Sequence, residues 1–232
     1  MALAAEHYNG YSAHMSNFVP TQRTKVRRKP DRGSYDRELI YRILDEAFVC
    51  QVAFIDDGKP VVVPTNYVRV GEKLFLHGST ASRLMKTLAS GSPFCLNVTL
   101  LDGIVCSPSA TGHSVNYRSV VVMGKAEIVD GEAAKLAAMR DFVECVIRGR
   151  WATVLPPTEQ ELKGTMVLCV PIVEASAKVR TGFAVNEDKD YVAQAWTGVI
   201  PMKWVSQAPV PDPRGNPAIP APANIQNYSR SE

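Results

Sequence analysis

A chain of 232 residues that is 46% hydrophobic and 21% charged has the balance of a folded globular protein. It would bury roughly 70% of its unfolded surface if it folded as one unit. With 26 basic and 23 acidic side chains the formal charge is only +3, which argues against nucleic acid as a partner. No run approaches the roughly 20 apolar residues of a membrane span. Glu6, His7 and Asn9 stand where a signal peptide needs an apolar block. A cytoplasmic protein without a membrane partner is therefore expected. Its five cysteines (50, 95, 106, 145 and 169) sit mostly in apolar runs without CxxC or Cys/His spacing, so they read as reduced thiols and no metal site is expected.

Residues 1–33 read as an arm, ending in a basic run of Arg23, Lys25, Arg27, Arg28, Lys29 and Arg32. Such a run is either an anion-binding or nuclear-localisation patch or a solvated arm that packs on the domain or its dimer partner. Ser34 is a candidate N-cap for a first helix, with Asp36 and Glu38 in the first turn and Leu39, Ile40, Ile43, Leu44 and Ala47 on one face. An apolar strand over 48–55, the turn Asp56-Asp57-Gly58-Lys59, a Val-rich strand over 60–69 and a third strand over 74–77 predict an antiparallel meander.

A short helix is predicted from about Ser82, stopped by Ser90-Gly91-Ser92-Pro93. Strands over 94–101 and 117–129 follow, then a helix over about 132–147 with Leu136, Met139, Phe142, Val143 and Val146 at helical spacing. Thr158 and Glu161 have capping-box spacing before a strand over 165–173. Seven prolines beyond Ile200 mark an extended or disordered, partner-wrapping tail. The fold class predicted is mainly β (α+β): about six antiparallel strands closing into a small barrel, with peripheral helices. Three regions follow, an arm over 1–33, a barrel domain over 34–182 and a C-terminal extension over 183–232.

The segment from Leu74 to Lys86 carries the clearest chemistry. A strand ends at His77 and Gly78, the hydroxyls of Ser79, Thr80 and Ser82 follow at a helix start, and Arg83 and Lys86 share a helical face. Free N–H groups and two cations at one place suit a phosphate, while a Ser-capped helix with solvated basic residues fits the same letters. His77 is the candidate proton donor or axial metal ligand, or else a hydrogen-bonded structural residue. His113 lies in a loop without fixed geometry, and Tyr117 suits either ligand stacking or core packing.

Pro64-Thr65, the His77-Gly78-Ser79 strand end, Ser82-Arg83 with Lys86, and 116–126 (Asn-Tyr-Arg-Ser-Val-Val-Val-Met-Gly-Lys-Ala) together resemble the flavin-nucleotide-binding branch of the pyridoxamine 5′-phosphate oxidase-like split barrels. Nim-type nitroimidazole-resistance proteins belong to that branch. The resemblance runs from about Arg27 to Gly182. It implies a six-stranded split barrel that forms a homodimer, binds FMN between subunits and acts as an oxidoreductase on a small-molecule substrate. Pro64, Thr65 and Asn66 would border the flavin ring, and the ribityl and phosphate contacts would come from His77, Gly78, Ser79, Ser82, Arg83 and Lys86. Tyr117, Arg118 and Ser119 would lie near the subunit interface, with Lys178 and Arg180 at the cofactor or substrate mouth. His77 is the catalytic candidate. The C-terminal phosphate residues of the pyridoxamine 5′-phosphate oxidases have no match here. Related split barrels hold haem, which makes haem the alternative cofactor, with His77 or His113 as ligand. A non-catalytic flavin-binding protein is the third reading.

Overall fold

The computed structural model describes residues 16–229; the first part of the expected arm, residues 1–15, lies outside them. In chain order the strands are β1 (Gly33–Ser34), β2 (Val49–Asp56), β3 (Lys59–Asn66), β4 (Val68–Val70), β5 (Lys73–Ser79), β6 (Phe94–Cys106), β7 (Ser114–Gly124), β8 (Glu127–Ile128), β9 (Thr165–Pro171), β10 (Glu174–Arg180) and β11 (Gly198–Pro201). The helices are α1 (Arg37–Glu46), α2 (Arg83–Ala89), α3 (Glu132–Val146), α4 (Glu159–Gly164) and α5 (Ala223–Gln226). The strands form two antiparallel sheets. The large sheet has the order β1-β10-β7-β6-β2-β3, with β11 added along the far end of β6; the small one has the order β4-β5-β9-β8.

The split barrel arises because the expected meander divides between the sheets. Asp57 and Gly58 both adopt positive φ, the two-residue turn that joins β2 to β3. The single strand expected over 60–69 breaks at Tyr67, whose buried hydroxyl donates to the Leu44 carbonyl at 2.5 Å. Beyond it the chain starts β4 in the other sheet. The strand expected over 117–129 likewise leaves the large sheet after Gly124 and enters the small one as β8. With the short pairings and β11 counted, the strands exceed the expected six, while the architecture remains an antiparallel split barrel.

The core fills the space between the sheets. Val52, Leu96, Val98, Val120, Val122, Ala175 and Ala177 from the large sheet meet Leu74, Leu76, Leu168 and Val170 from the small one. Ile40, Ile43 and Leu44 of α1 and Leu84, Met85 and Leu88 of α2 close it. The α1 N-cap is Asp36 rather than Ser34: its carboxylate accepts from the Leu39 amide at 2.7 Å. The other face of the small sheet lies beneath α3, where Phe142 and Ala138 are buried.

The described part of the arm packs on the domain. Phe18 joins the core, Arg23 pairs with Glu174, and β1 pairs with β10. The extension also contributes to the large sheet, because β11 seats against Gly103. A Cβ at Gly103 would lie 3.0 Å from the Val199 side chain and 3.1 Å from the Ile200 carbonyl. Among the described residues no helix is long and apolar enough to cross a membrane.

Candidate functional site at the uncovered sheet face

Side chains alternate across a strand, so the inner positions of the large sheet identify its outer ones. The outer face carries Gln51, Asn97, Ser119 and Lys178 beside Val49, Ile55, Val62, Leu101 and Val115. Those five aliphatics are 38 to 61% exposed, and among the described residues no element lies over them. An aliphatic sheet face left open to water is the feature that requires explanation.

The expected site residues of β3, β7 and β10 divide between the two edges of this face, except Thr65 and Arg118, which alternation turns to the inner side. Pro64, Thr65 and Asn66 lie on β3, the edge strand, where Pro64 costs no ladder hydrogen bond. Tyr117 and Ser119 of β7 stand directly opposite Arg180 and Lys178 of β10. From β3 to β10 are four inter-strand steps, about 19 Å at the usual spacing. One copy therefore does not bring these two groups together.

Arg180 is only 6% exposed, and among the described residues no carboxylate pairs with it. Its guanidinium donates to the Asn116 side-chain oxygen at 2.5 Å and to the Phe183 carbonyl at 3.2 Å. Burial, then the Arg32 charge, lowers its pKa. Lys178 donates to the Arg28 carbonyl at 3.2 Å, and Ser119 donates to the Lys178 carbonyl at 3.2 Å.

Arg118 points to the inner side. It pairs with Glu46 at the end of α1 and donates to both oxygens of Asp102, at 2.7 and 3.0 Å. The hydrogen bonds from its guanidinium to Glu46 and then to Asp102 raise its pKa. Arg118 thus clamps α1 to the irregular turn of β6 rather than offering a free cation.

At the α2 end, Ser82 is the N-cap but makes no side-chain capping bond, and Ser79 accepts from the Ala81 amide at 3.1 Å. Arg83 is exposed, reaching Asp56 at 3.3 Å beside the β2–β3 hairpin, and Lys86 is exposed on the next turn. Asp56 pairs with Lys59, so Arg83 sits near one end of β3 and Asn66 at the other, roughly 20 Å along the strand. Only an elongated ligand would touch both.

His77 and Gly78 are neighbours on β5 and so face opposite sides of the small sheet. Gly78 lies against Met85, where a Cβ would come within 3.0 Å. The His77 ring packs edge-on against Phe142 of α3, centroids 4.3 Å apart, and its buried Nδ1 has no hydrogen-bond partner among the described residues. Burial lowers its pKa, so the imidazole is held neutral. His113 is exposed before β7, its Nδ1 3.2 Å from the Ser109 carbonyl. The Phe142 contact and the Glu46–Arg118–Asp102 cluster escaped the sequence reading, since their partners are distant in sequence. Among the described residues no group of three or more His, Cys, Asp or Glu side chains could hold a metal ion. Cys50 is inert as a nucleophile, its thiol pushed up to about 12 by burial.

No curated protein matches this chain. Among solved structures, flavocytochrome Anf3 from Azotobacter vinelandii is 39% identical over 90% of this chain and 97% of that one, with a TM-score of 0.85. The FAD and heme binding protein from Mycobacterium smegmatis is 33% identical over 84% of this chain and 95% of that one, with a TM-score of 0.80. A structure described as a 5-nitroimidazole antibiotic resistance protein from Bacteroides thetaiotaomicron is 21% identical over 63% of this chain and 86% of that one, with a TM-score of 0.55, and shares the fold. The family model described as pyridoxamine 5′-phosphate oxidase matches residues 36–179, which include β2 to β9 and every expected site residue except Arg180. The chain belongs to the pyridoxamine 5′-phosphate oxidase family.

Proposed function

We propose that this protein is a homodimeric flavin-nucleotide oxidoreductase, its flavin sites completed when two copies pack through the outer faces of their large sheets. The observation that carries the reading is the division of the expected ligand residues between opposite edges of one uncovered aliphatic face. Packing two such faces antiparallel would bring β3 of one copy toward β10 of the other. The donor set suits a flavin nucleotide, FMN or FAD. Ser82 keeps its hydroxyl uncommitted, Arg83 and Lys86 offer cations for a phosphate, and Pro64 and Asn66 present a flat edge to a ring system. A bound flavin supplies the hydride or electron transfer to a small planar substrate. The protein's part is to orient the ring, neutralise the phosphate and exclude water. His77, neutral and with no partner for Nδ1 among the described residues, is buried against Phe142 of α3 on the far face of the small sheet, away from this face.

Haem as a second cofactor is favoured by one specific observation. With His113 Nδ1 donating to the Ser109 carbonyl, its Nε2 lone pair is free to ligate iron, the usual arrangement of a ligating imidazole. Two relatives above 30% identity are described as a flavocytochrome and as an FAD and heme binding protein. An absorption spectrum of the purified protein tests both readings. Flavin bands are expected, together with a Soret band that is lost in His113→Ala and retained in His77→Ala. A colourless protein that takes up neither FMN nor FAD would overturn the flavin reading. A Soret band indifferent to His113→Ala would overturn the ligand assignment. Reduction of a dye or nitroaromatic by the flavin-loaded protein no faster than by free flavin would leave binding intact and remove the catalytic reading.

A further inference from the structure

The C-terminal extension is tied to its own domain at both ends and leaves its apolar side chains uncovered between them. At one end β11 pairs with β6, and the Met202 amide donates to the Asp102 carbonyl at 3.0 Å. At the other the Asn224 side chain donates to the Arg148 carbonyl at 2.8 Å, just after α3. Residues 203–211 make no backbone hydrogen bond to the rest of the described chain. Met202 is 43% exposed, Trp204 88%, Val205 66%, Val210 90% and Ile219 71%. A strap that belonged on its own barrel would bury these side chains there. Prolines at 201, 209, 211, 213, 217, 220 and 222 keep it out of regular structure; residues 202–211 span roughly 30 Å at about 3.1 Å per residue before turns at Asp212–Gly215 and Asn216–Ile219 lead it back toward Arg148.

The start of the strap also continues the open sheet face. Ile200 stands opposite Ile104, and both are exposed, so the end of β11 adds to the open outer face, and the exposed Met202, Trp204 and Val205 follow directly after it. Covering Trp204 removes roughly 200 Å² from water, and each aliphatic adds roughly 60 to 120 Å². The strap therefore offers about 450 to 700 Å², a large share of the roughly 800 Å² per partner that a stable interface buries.

We infer that residues 202–222 of each copy strap across the second copy of this chain, with Trp204 as the anchor that seats on the partner. This rests on the dimeric reading proposed above. The strap is thereby an intersubunit clasp as well as an extension of its own sheet.

Lys203 provides the direct test. Full-length protein labelled with ¹⁴N and ¹⁵N is mixed, subunit exchange is verified as a dimer of intermediate mass by native mass spectrometry, and lysines are cross-linked. Mixed-isotope peptides involving Lys203 are expected. In parallel, sedimentation of Trp204→Ser, Val205→Ser protein should show dimer dissociation weakened in affinity at least tenfold, with the circular dichroism and thermal transition of the monomer retained. A dimer whose Lys203 links are all same-isotope, or whose affinity is unchanged in the double variant, would overturn the clasp and leave the dimeric reading standing. A full-length protein that sediments as a monomer throughout the micromolar range would overturn the dimeric reading and the clasp with it.

Discussion

The two faces of the large sheet are made by the same strands and differ in what they are built to meet. Inward, Val52, Leu96, Val98, Val120 and Val122 are fully buried against helices and the small sheet. Outward, Ile55 and Val62 stand 57 and 61% exposed among polar neighbours such as Gln51 and Ser119. Alternation along a strand separates the two sets, but only exposure shows that the outward set is left uncovered by the described residues. The inner face therefore accounts for the fold, and the outer face is where the dimer and its flavin site are proposed.

Substitutions that separate these roles give the largest effects. Leu168→Ala on the inner side should destabilise the protein by about 2 to 5 kcal/mol, measured by denaturant unfolding, because it removes buried methyl groups from a dense core. A loss below about 1 kcal/mol would mean that the sheets are not packed as described. Arg118→Ala should cost about 1 to 3 kcal/mol: the guanidinium is partly exposed, and its loss leaves Glu46 and Asp102 without the cation between them. That variant should lose stability while the folded fraction keeps its flavin affinity. Reduced affinity with unchanged stability would return Arg118 to the ligand site.

Arg83 sharpens the contrast from the ligand side. Arg83→Ala should weaken FMN binding by about tenfold, the scale of one charge-assisted contact, leave riboflavin binding nearly unchanged, and barely alter stability since its pairing with Asp56 is exposed. Equal losses for FMN and riboflavin would remove the phosphate from α2. His77 should give the smallest effect. Its folded pKa lies below the ordinary 6.5, so below that pH the unfolded state binds the proton first and stability falls as pH falls toward the folded value. His77→Gln should flatten that decline. An unchanged slope would mean that another group governs it.

The elements with strong local periodicity were legible in the sequence. The Asp57-Gly58 turn, the Thr158–Glu161 capping box and the extent of α3 needed no distant partner, although of the expected α3 stripe only Phe142 is buried and Leu136 is exposed. β10 was harder to read because Glu-Ala-Ser-Ala-Lys-Val-Arg lacks the bulky residues that mark strands, and its small side chains Ala175 and Ala177 lie inward where α1 approaches. β11 was hidden in a proline-rich tail, its strand pairing supplied by β6 rather than by its own letters. Phe18 was one of three aromatics in an arm without periodicity, and its burial depends on Tyr41 and the Arg37 guanidinium stacked on it. At the site, residue types pointed to a flavin nucleotide, but whether Arg118 and Lys178 face a ligand or another part of the chain depends on partners such as Glu46 and Arg28, which sequence spacing does not encode.

The central claim is that the outer face joins two copies and completes the flavin site. Val62→Asp tests it most directly, because it places a charge at an exposed position where the lone monomer tolerates it and a buried interface does not. Flavin titration with sedimentation on the same samples should find a folded monomer whose flavin affinity has fallen at least a hundredfold. A Val62→Asp protein that remains dimeric, or a monomer that binds flavin as tightly as the wild type, would contradict the account.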